Sequence, residues 1–154
     1  MVDAAKLVRE NPQQPFDGGD TRWGVGYTLI TAMGVSYPEV AEDGQSFTAH
    51  MPITPFVGQR MGRVAGGAYL IIAESTAGRA SIQLLDEGYS AVGQSVTANH
   101  VNGTKCDSGM LYVRGRMLHH GRRTHVWHVE ITDETGELVS VATVTNAIIK
   151  AAEV

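Results

Sequence analysis

The 154-residue chain has little of several things, and each shortage excludes a class of protein. It holds a single cysteine, Cys106, so no intrachain disulfide framework and no cysteine-based zinc finger can form. A cationic surplus is missing: 12 Lys plus Arg stand against 16 Asp plus Glu, a formal net charge of -4, which argues against bulk binding to nucleic acid or to an anionic membrane. Long hydrophobic runs are missing too. The longest largely apolar stretch, Val64 to Ala73, covers ten residues, where a membrane span needs about 20. The opening segment MVDAAKLVRENPQQPF carries Asp3, Lys6, Arg9 and Glu10 in place of the apolar core of a signal peptide, so a soluble cytoplasmic protein is expected. Internal repeats, low-complexity tracts and long charge blocks do not occur.

What is present fits one globular domain. Hydrophobic residues at 43% and charged residues at 18% sit near soluble averages, which excludes disordered, collagen-like and coiled-coil chains. A chain of this length buries roughly 70% of its unfolded surface. A single domain over 1–154 is expected, with 1–20 as an N-terminal arm set off by Asn11-Pro12-Gln13-Gln14-Pro15. Val2 to Arg9 has the length for two helical turns, and the glycine-interrupted stretch Trp23 to Met33 leaves helix and strand open.

Beyond Met33 the signals sharpen. Val35–Val40 and Ser46–Met51 flank Asp43-Gly44, a hairpin turn between two short strands, with Pro38 confined to an edge or an irregular position. Gly66 to Leu85 contains good helix formers without proline and stops before Asp86-Glu87-Gly88, which predicts one long helix of about 30 Å. Gln94–Val101, Met110–Leu118, Arg123–Thr132 and Leu138–Ile149 are rich in Val, Thr, Ile, Tyr and Trp and are separated by turn signals, an antiparallel meander. Within Arg123–Thr132, His125, Trp127, Val129 and Ile131 share the apolar face. The fold class is α+β, with the sheet curled round the helix to bury it.

Several residues carry chemical potential. Glu74 follows an apolar helical run and has Leu70, Ile71, Ala77 and Gly78 as its neighbours one turn away, a setting that costs a carboxylate solvation and turns it toward a base. A solvent-facing stripe or an arginine partner explains the same pattern. Gly66-Gly67 opens the helix, where free N–H groups and the positive dipole end can meet an oxyanion; an ordinary flexible glycine pair is the bland alternative. Lys105, Arg114, Arg116, Arg122 and Arg123 form a basic cluster, either a phosphate locus or solvated strand surface. The histidines are scattered, so no metal site is expected. Cys106 reads as a plain surface or half-buried thiol.

Four stretches, Gly66-Gly67-Ala68 with LIIAESTAG, VTANHV, LHHGRR and VWHVEITDETG, together resemble the hotdog-fold acyl-CoA thioesterases, especially the branch of 1,4-dihydroxy-2-naphthoyl-CoA and 4-hydroxybenzoyl-CoA thioesterases. The resemblance covers roughly Ser36 to Ile149. It implies one long central helix wrapped by a five- or six-stranded antiparallel sheet, assembled as a homodimer or homotetramer with active sites between subunits. By the same resemblance Glu74 is the base or nucleophile, and Gln59 and the Gly66 N–H polarise the thioester carbonyl. Gly67, Gly78 and His100 line the substrate site, while Asn102, Lys105, His119, Gly121, Arg122 and Arg123 receive the coenzyme A phosphates and adenine. No cofactor is implied beyond the coenzyme A of the substrate.

Two departures stand out. Ala65 replaces a histidine that many relatives carry before the Gly-Gly pair, and Gly78 replaces a hydroxyl residue one turn after the carboxylate. They keep a second reading open: a hotdog protein that binds an acyl-CoA or acyl carrier without turning it over. A dehydratase of this fold would pair a histidine with a carboxylate in a motif this chain lacks.

Overall fold

A computed structural model describes residues 28–151, so the expected arm, its two helical turns and most of the undecided stretch before Met33 lie outside the described residues. The described part of that stretch is a short helix, α1 (Leu29–Met33), capped by Thr28 in a reciprocal bond with Thr31 and closed by Gly34 in the left-handed conformation. Then follow β1 (Glu39–Val40), β2 (Ser46–Pro52), a 3-10 turn over Pro55–Val57, α2 (Gly66–Gln83), β3 (Tyr89–His100), β4 (Met110–His120), β5 (Thr124–Thr132) and β6 (Leu138–Lys150).

The first hairpin forms where expected. Gly44 takes a φ of 67°, the Asp43 carboxylate accepts from the Gln45 N–H, and Ala41 N donates to Ser46 O. Its first strand is cut to two residues, because Pro38 has no N–H and ladder pairing starts only after it.

The six strands form one antiparallel sheet in the order β1-β2-β4-β5-β6-β3. This corrects the meander: β3 does not pair with β4 but crosses to the far edge beside β6. The reason lies in residues 101–109, which are too long for a tight hairpin and are pinned elsewhere. Val64 N donates to Thr104 O, Cys106 N donates to Gly62 O, and Arg63 pairs with Lys105 as an isolated bridge.

α2 lies across the sheet. Ala68, Tyr69, Ile72, Ala73, Thr76, Ala77, Ala80 and Ser81 form its buried stripe at the spacing of a packed helix face. Its last turn docks through Ser81, whose hydroxyl accepts from Trp127 Nε1 at 2.9 Å and from Asn146 Nδ2 at 3.0 Å. Phe47 packs edge-on against Trp127 with ring centroids 5.0 Å apart, and Gly115 leaves the room for the Phe47 ring. His125, Trp127, Val129 and Ile131 all face this core, as their alternation predicts. This is the hotdog arrangement. Among the described residues no helix is long and apolar enough to cross a membrane.

Candidate active site

The start of α2 is open. Ala65 provides no side-chain cap and the first turn holds no acid, so the leading N–H groups of the helix lack an anionic neighbour of their own. An apolar pocket of about 300 Å³ adjoins it, lined by Leu29, Met33, Phe56, Val57 and Ile71 together with Ala65, Gly67 and Ala68. His100, at the end of β3, lays the Cδ2–Nε2 edge of its ring over Gly66: a Cβ at that position would sit 2.9 Å from both atoms. Only glycine fits there without displacing the ring. The same imidazole contacts the Tyr69 ring at 5.3 Å between centroids, and its Nδ1 lies 2.9 Å from Ser140 Oγ.

Gln59 occupies an exposed turn just before the helix. Its Oε1 accepts from Met61 N at 2.8 Å, while its backbone N–H donates to Arg63 O. The turn closes with Gly62 at a φ of 70°.

Glu74 corrects one expectation. It does not lie on the buried face of α2; within one chain it is exposed, on the flank facing β3. Its carboxylate rests on Gly93, where any side chain would collide with Oε1, and the ladder of β3 with β6 is irregular between Gly93 and Ser95 at this point. Of its neighbours, Ala77 is fully buried in the core and exposes no backbone, whereas Gly78 is half-buried with open space where a Cβ would go. The Ser75 and Thr76 hydroxyls donate back to helix carbonyls, Ser75 to Ile71 O and Thr76 to Ile72 O, and neither stands in for a hydroxyl at position 78.

The residues expected to hold the carrier separate into two groups. Asn102 and Lys105 lie near the start of α2, where Asn102 Nδ2 donates to Leu138 O and ties the end of β3 to β6. Here the sequence reading missed Arg63, which donates to Gly103 O and lines a cavity of about 310 Å³ with Lys105, Thr104 and the acids Asp107, Asp133 and Glu134. His119, near the end of β4, and Gly121, Arg122 and Arg123, on the β4–β5 connection, lie at the other end of α2. Gly121 and Arg122 line a cavity of about 280 Å³ there with Leu84, Leu85, Tyr89, His120 and His125. Since α2 has 18 residues, roughly 27 Å separates the two ends.

His125 is the one strongly perturbed histidine at that far end. Burial, with the neighbouring His120 and His119 acting the same way, lowers its pKa to about 4. Cys106 behaves as the half-buried thiol expected: its Sγ donates to Thr54 O, and burial, aided by the Asp107 charge, pushes the thiol up. Arg114 and Arg116 stand on strand surface opposite Glu130 and His128. No cluster of metal-ligating side chains occurs among the described residues.

One long helix wrapped by an antiparallel sheet, with an uncapped helix start beside an apolar pocket and a carboxylate two turns further on, defines a hotdog-fold protein. Comparison with known proteins makes the class specific. The family model described as Thioesterase superfamily matches residues 61–140. A Vibrio cholerae protein classed among the esterases is 36% identical over 121 residues, covering 79% of this chain and 78% of that protein. The 1,4-dihydroxy-2-naphthoyl-CoA hydrolase of Escherichia coli is 29% identical over 79% of this chain and 86% of its own length. A Pseudomonas aeruginosa thioesterase structure superposes with a TM-score of 0.74 at 28% identity, covering 97% of this chain and 96% of that one. The chain belongs to the thioesterase superfamily, and the fold and its relatives mark it as a hydrolase of thioesters.

Proposed function

We propose that the protein hydrolyses an acyl-CoA to the free acid and coenzyme A. The observation that carries this reading is the uncapped start of α2 at Gly66-Gly67 opening onto an apolar pocket of about 300 Å³, which sets hydrogen-bond donors for a carbonyl oxygen beside a slot for an acyl chain. In this reading the Gly66 N–H and Gln59 polarise the carbonyl, and Glu74 supplies the reacting carboxylate. As a base, Glu74 takes a proton from water whose oxygen bonds to the carbonyl carbon; the C–S bond then breaks and the thiolate recovers that proton. As a nucleophile, its own oxygen bonds to the carbon, the thiolate leaves, and water opens the resulting anhydride.

Gly66 and Glu74 are eight residues apart on one helix, about 12 Å along its axis. That is too far for both to touch one carbonyl, so a productive site combines the Gly66 end of one copy with Glu74 of another. β3 supports such pairing. It is an edge strand of 12 residues with no Lys, Arg, Asp, Glu or Pro in it, leaving N–H and C=O groups open for a second copy. A homodimer or homotetramer follows from this reading, in solution and without a membrane or nucleic-acid partner.

The test is a thiol-release screen over aromatic, short-chain and long-chain acyl-CoAs with the wild type and Glu74→Gln. Release above the blank, reduced at least about a hundredfold in the variant with its fold intact, supports the reading. The open space at Gly78 favours the binding-only alternative. That alternative predicts thermal stabilisation by acyl-CoA without thiol release.

A further inference from the structure

The pocket beside the start of α2 has one polar end and an apolar remainder. Every side chain that lines it among the described residues is a hydrocarbon or the Met33 thioether. The loop side of its wall spends its amides on itself: Val57 N donates to Thr54 O, Gly58 N to Pro55 O, Ala65 N to Val57 O and Ala68 N to Ala65 O. What stays open is the pair of N–H groups at Gly66 and Gly67, because the first donors of a helix have no intrahelical acceptor and Ala65 supplies no cap. Met33, Val57 and Ala68 are buried and form the floor, whereas Leu29 and Phe56 are half exposed and form the mouth.

A ligand that seats its oxygen on those N–H groups must place the rest of its acyl group against hydrocarbon. A bare alkyl or aryl group gains from that transfer; a hydroxyl, amide or charge further along loses its water and finds no side-chain partner. Volume sets a length as well. At about 30 Å³ for a group the size of a water molecule, a pocket of about 300 Å³ has room for about ten carbons.

We propose that the protein selects thioesters of unsubstituted hydrocarbon acyl groups, straight-chain or aryl-alkyl, of up to about ten carbons, and that Ile71 and Leu29 set the limit of length. The inference rests on the hydrolysis reading above and names the substrate class of that same site. Ile71, half-buried on the second turn of α2, packs against the core and forms one wall of the pocket, and Leu29 at the start of α1 closes its mouth. The acyl group in the name of the Escherichia coli relative carries two hydroxyls. This lining has a side-chain partner for neither.

The experiment measures kcat/KM of the wild type on pairs that differ by one hydroxyl far from the carbonyl: phenylacetyl-CoA against 4-hydroxyphenylacetyl-CoA, and octanoyl-CoA against 8-hydroxyoctanoyl-CoA. In the first pair a methylene insulates the carbonyl from the ring, so the phenol leaves the reactivity of the thioester unchanged. The hydroxylated member of each pair should be poorer by about tenfold to a hundredfold, the effect of an unpartnered hydroxyl in an apolar pocket. Along the straight-chain series from butanoyl- to tetradecanoyl-CoA, kcat/KM should rise by about fourfold per methylene and stop rising near the limit. Ile71→Ala and Leu29→Ala each remove three carbons from the lining and should move that limit outward by about two carbons. Leu29 is half exposed, so its truncation spares the core and reads the limit even where the Ile71 variant melts early.

Equal kcat/KM within both pairs overturns the selection while hydrolysis stands. A limit of length that neither truncation moves, or a rise that continues through tetradecanoyl-CoA, overturns the assignment of this pocket. A wild type that releases thiol from no acyl-CoA overturns the hydrolysis reading itself, and this selection with it.

Discussion

The placement of Glu74 can be tested without altering Glu74. Its carboxylate lies on Gly93, and a Cβ added there would overlap Oε1 and sit 3.1 Å from Cδ and 3.2 Å from Cγ, inside the 3.4–4 Å of ordinary contact. The φ of Gly93 is outside the left-handed region, so alanine takes up the same backbone, and the atom it meets is the far end of a flexible side chain. Gly93→Ala therefore displaces the carboxylate and little else. A shift on the order of 1 Å away from a reacting carbon is enough to cost about a hundredfold in rate. Stability should move the other way, since replacing a strand glycine by alanine gains about 0.5–1 kcal/mol of backbone entropy, which for a domain of this size is an increase of about 2–4 °C in Tm at most. Thiol release measured beside thermal unfolding reads both quantities. In a Glu74→Gln background the same substitution should change kcat/KM little, because the group it displaces no longer reacts. Full activity in Gly93→Ala would refute the idea that Glu74 works from its place over β3, and a loss that persists in the glutamine background would show that Gly93 acts by another route.

Other expectations follow from the same geometry. His125 binds a proton only below about pH 4 in the folded chain, whereas an unfolded chain binds it below 6.5. Stability is thus complete above 6.5 and falls by up to about 3 kcal/mol as pH drops through that window; His125→Phe should flatten this slope in denaturant titrations at pH 7, 5.5 and 4.5, and equal slopes would contradict it. Charge reversal at Arg122 and Arg123, remote from Gly66 in the same chain, should raise KM for acyl-CoA several-fold more than it lowers kcat, with the effect shrinking as salt rises. A small thioester without the nucleotide should be hydrolysed equally by both proteins, and equal losses on both substrates would remove the hairpin from carrier binding. Light scattering at micromolar concentration should give a multiple of 16.5 kDa; the mass of a single chain would contradict a site shared between copies.

The sequence makes the helix legible almost to the residue, since a proline-free run between Gly66-Gly67 and Gly88 has few alternatives; the observed end at Gln83 falls short of Leu85 only by the fraying of a last turn. The strands after it are legible from their β-branched and aromatic content, and β3 begins earlier than Gln94 because Tyr89, Ser90, Ala91 and Val92 pair with β6 despite a weaker strand composition. Partner choice is another matter. Periodicity shows which face of a strand is buried but not which strand lies beside it, and the crossing of β3 rests on backbone bonds from residues 104–106 to the loop before α2. The same limit explains why Arg63 went unnoticed: it gains its meaning from a residue 40 positions away.

The misplaced strand is also the strand that touches both candidate positions on the helix. Had β3 continued the meander beside β4, it would lie inside the sheet, with both of its edges paired. At the far edge it runs along α2 with one side open, so that Gly93 supports Glu74 in its middle while His100 closes over Gly66 at its end. One element thus fixes both chemical positions on the helix, and its unpaired side offers the place where a second copy can bring the complementary half. The twelve uncharged residues of that edge are poor protection against pairing. Under the proposed hydrolysis, a charge placed there to prevent association would separate the Glu74 carboxylate of one copy from the Gly66 end of the other.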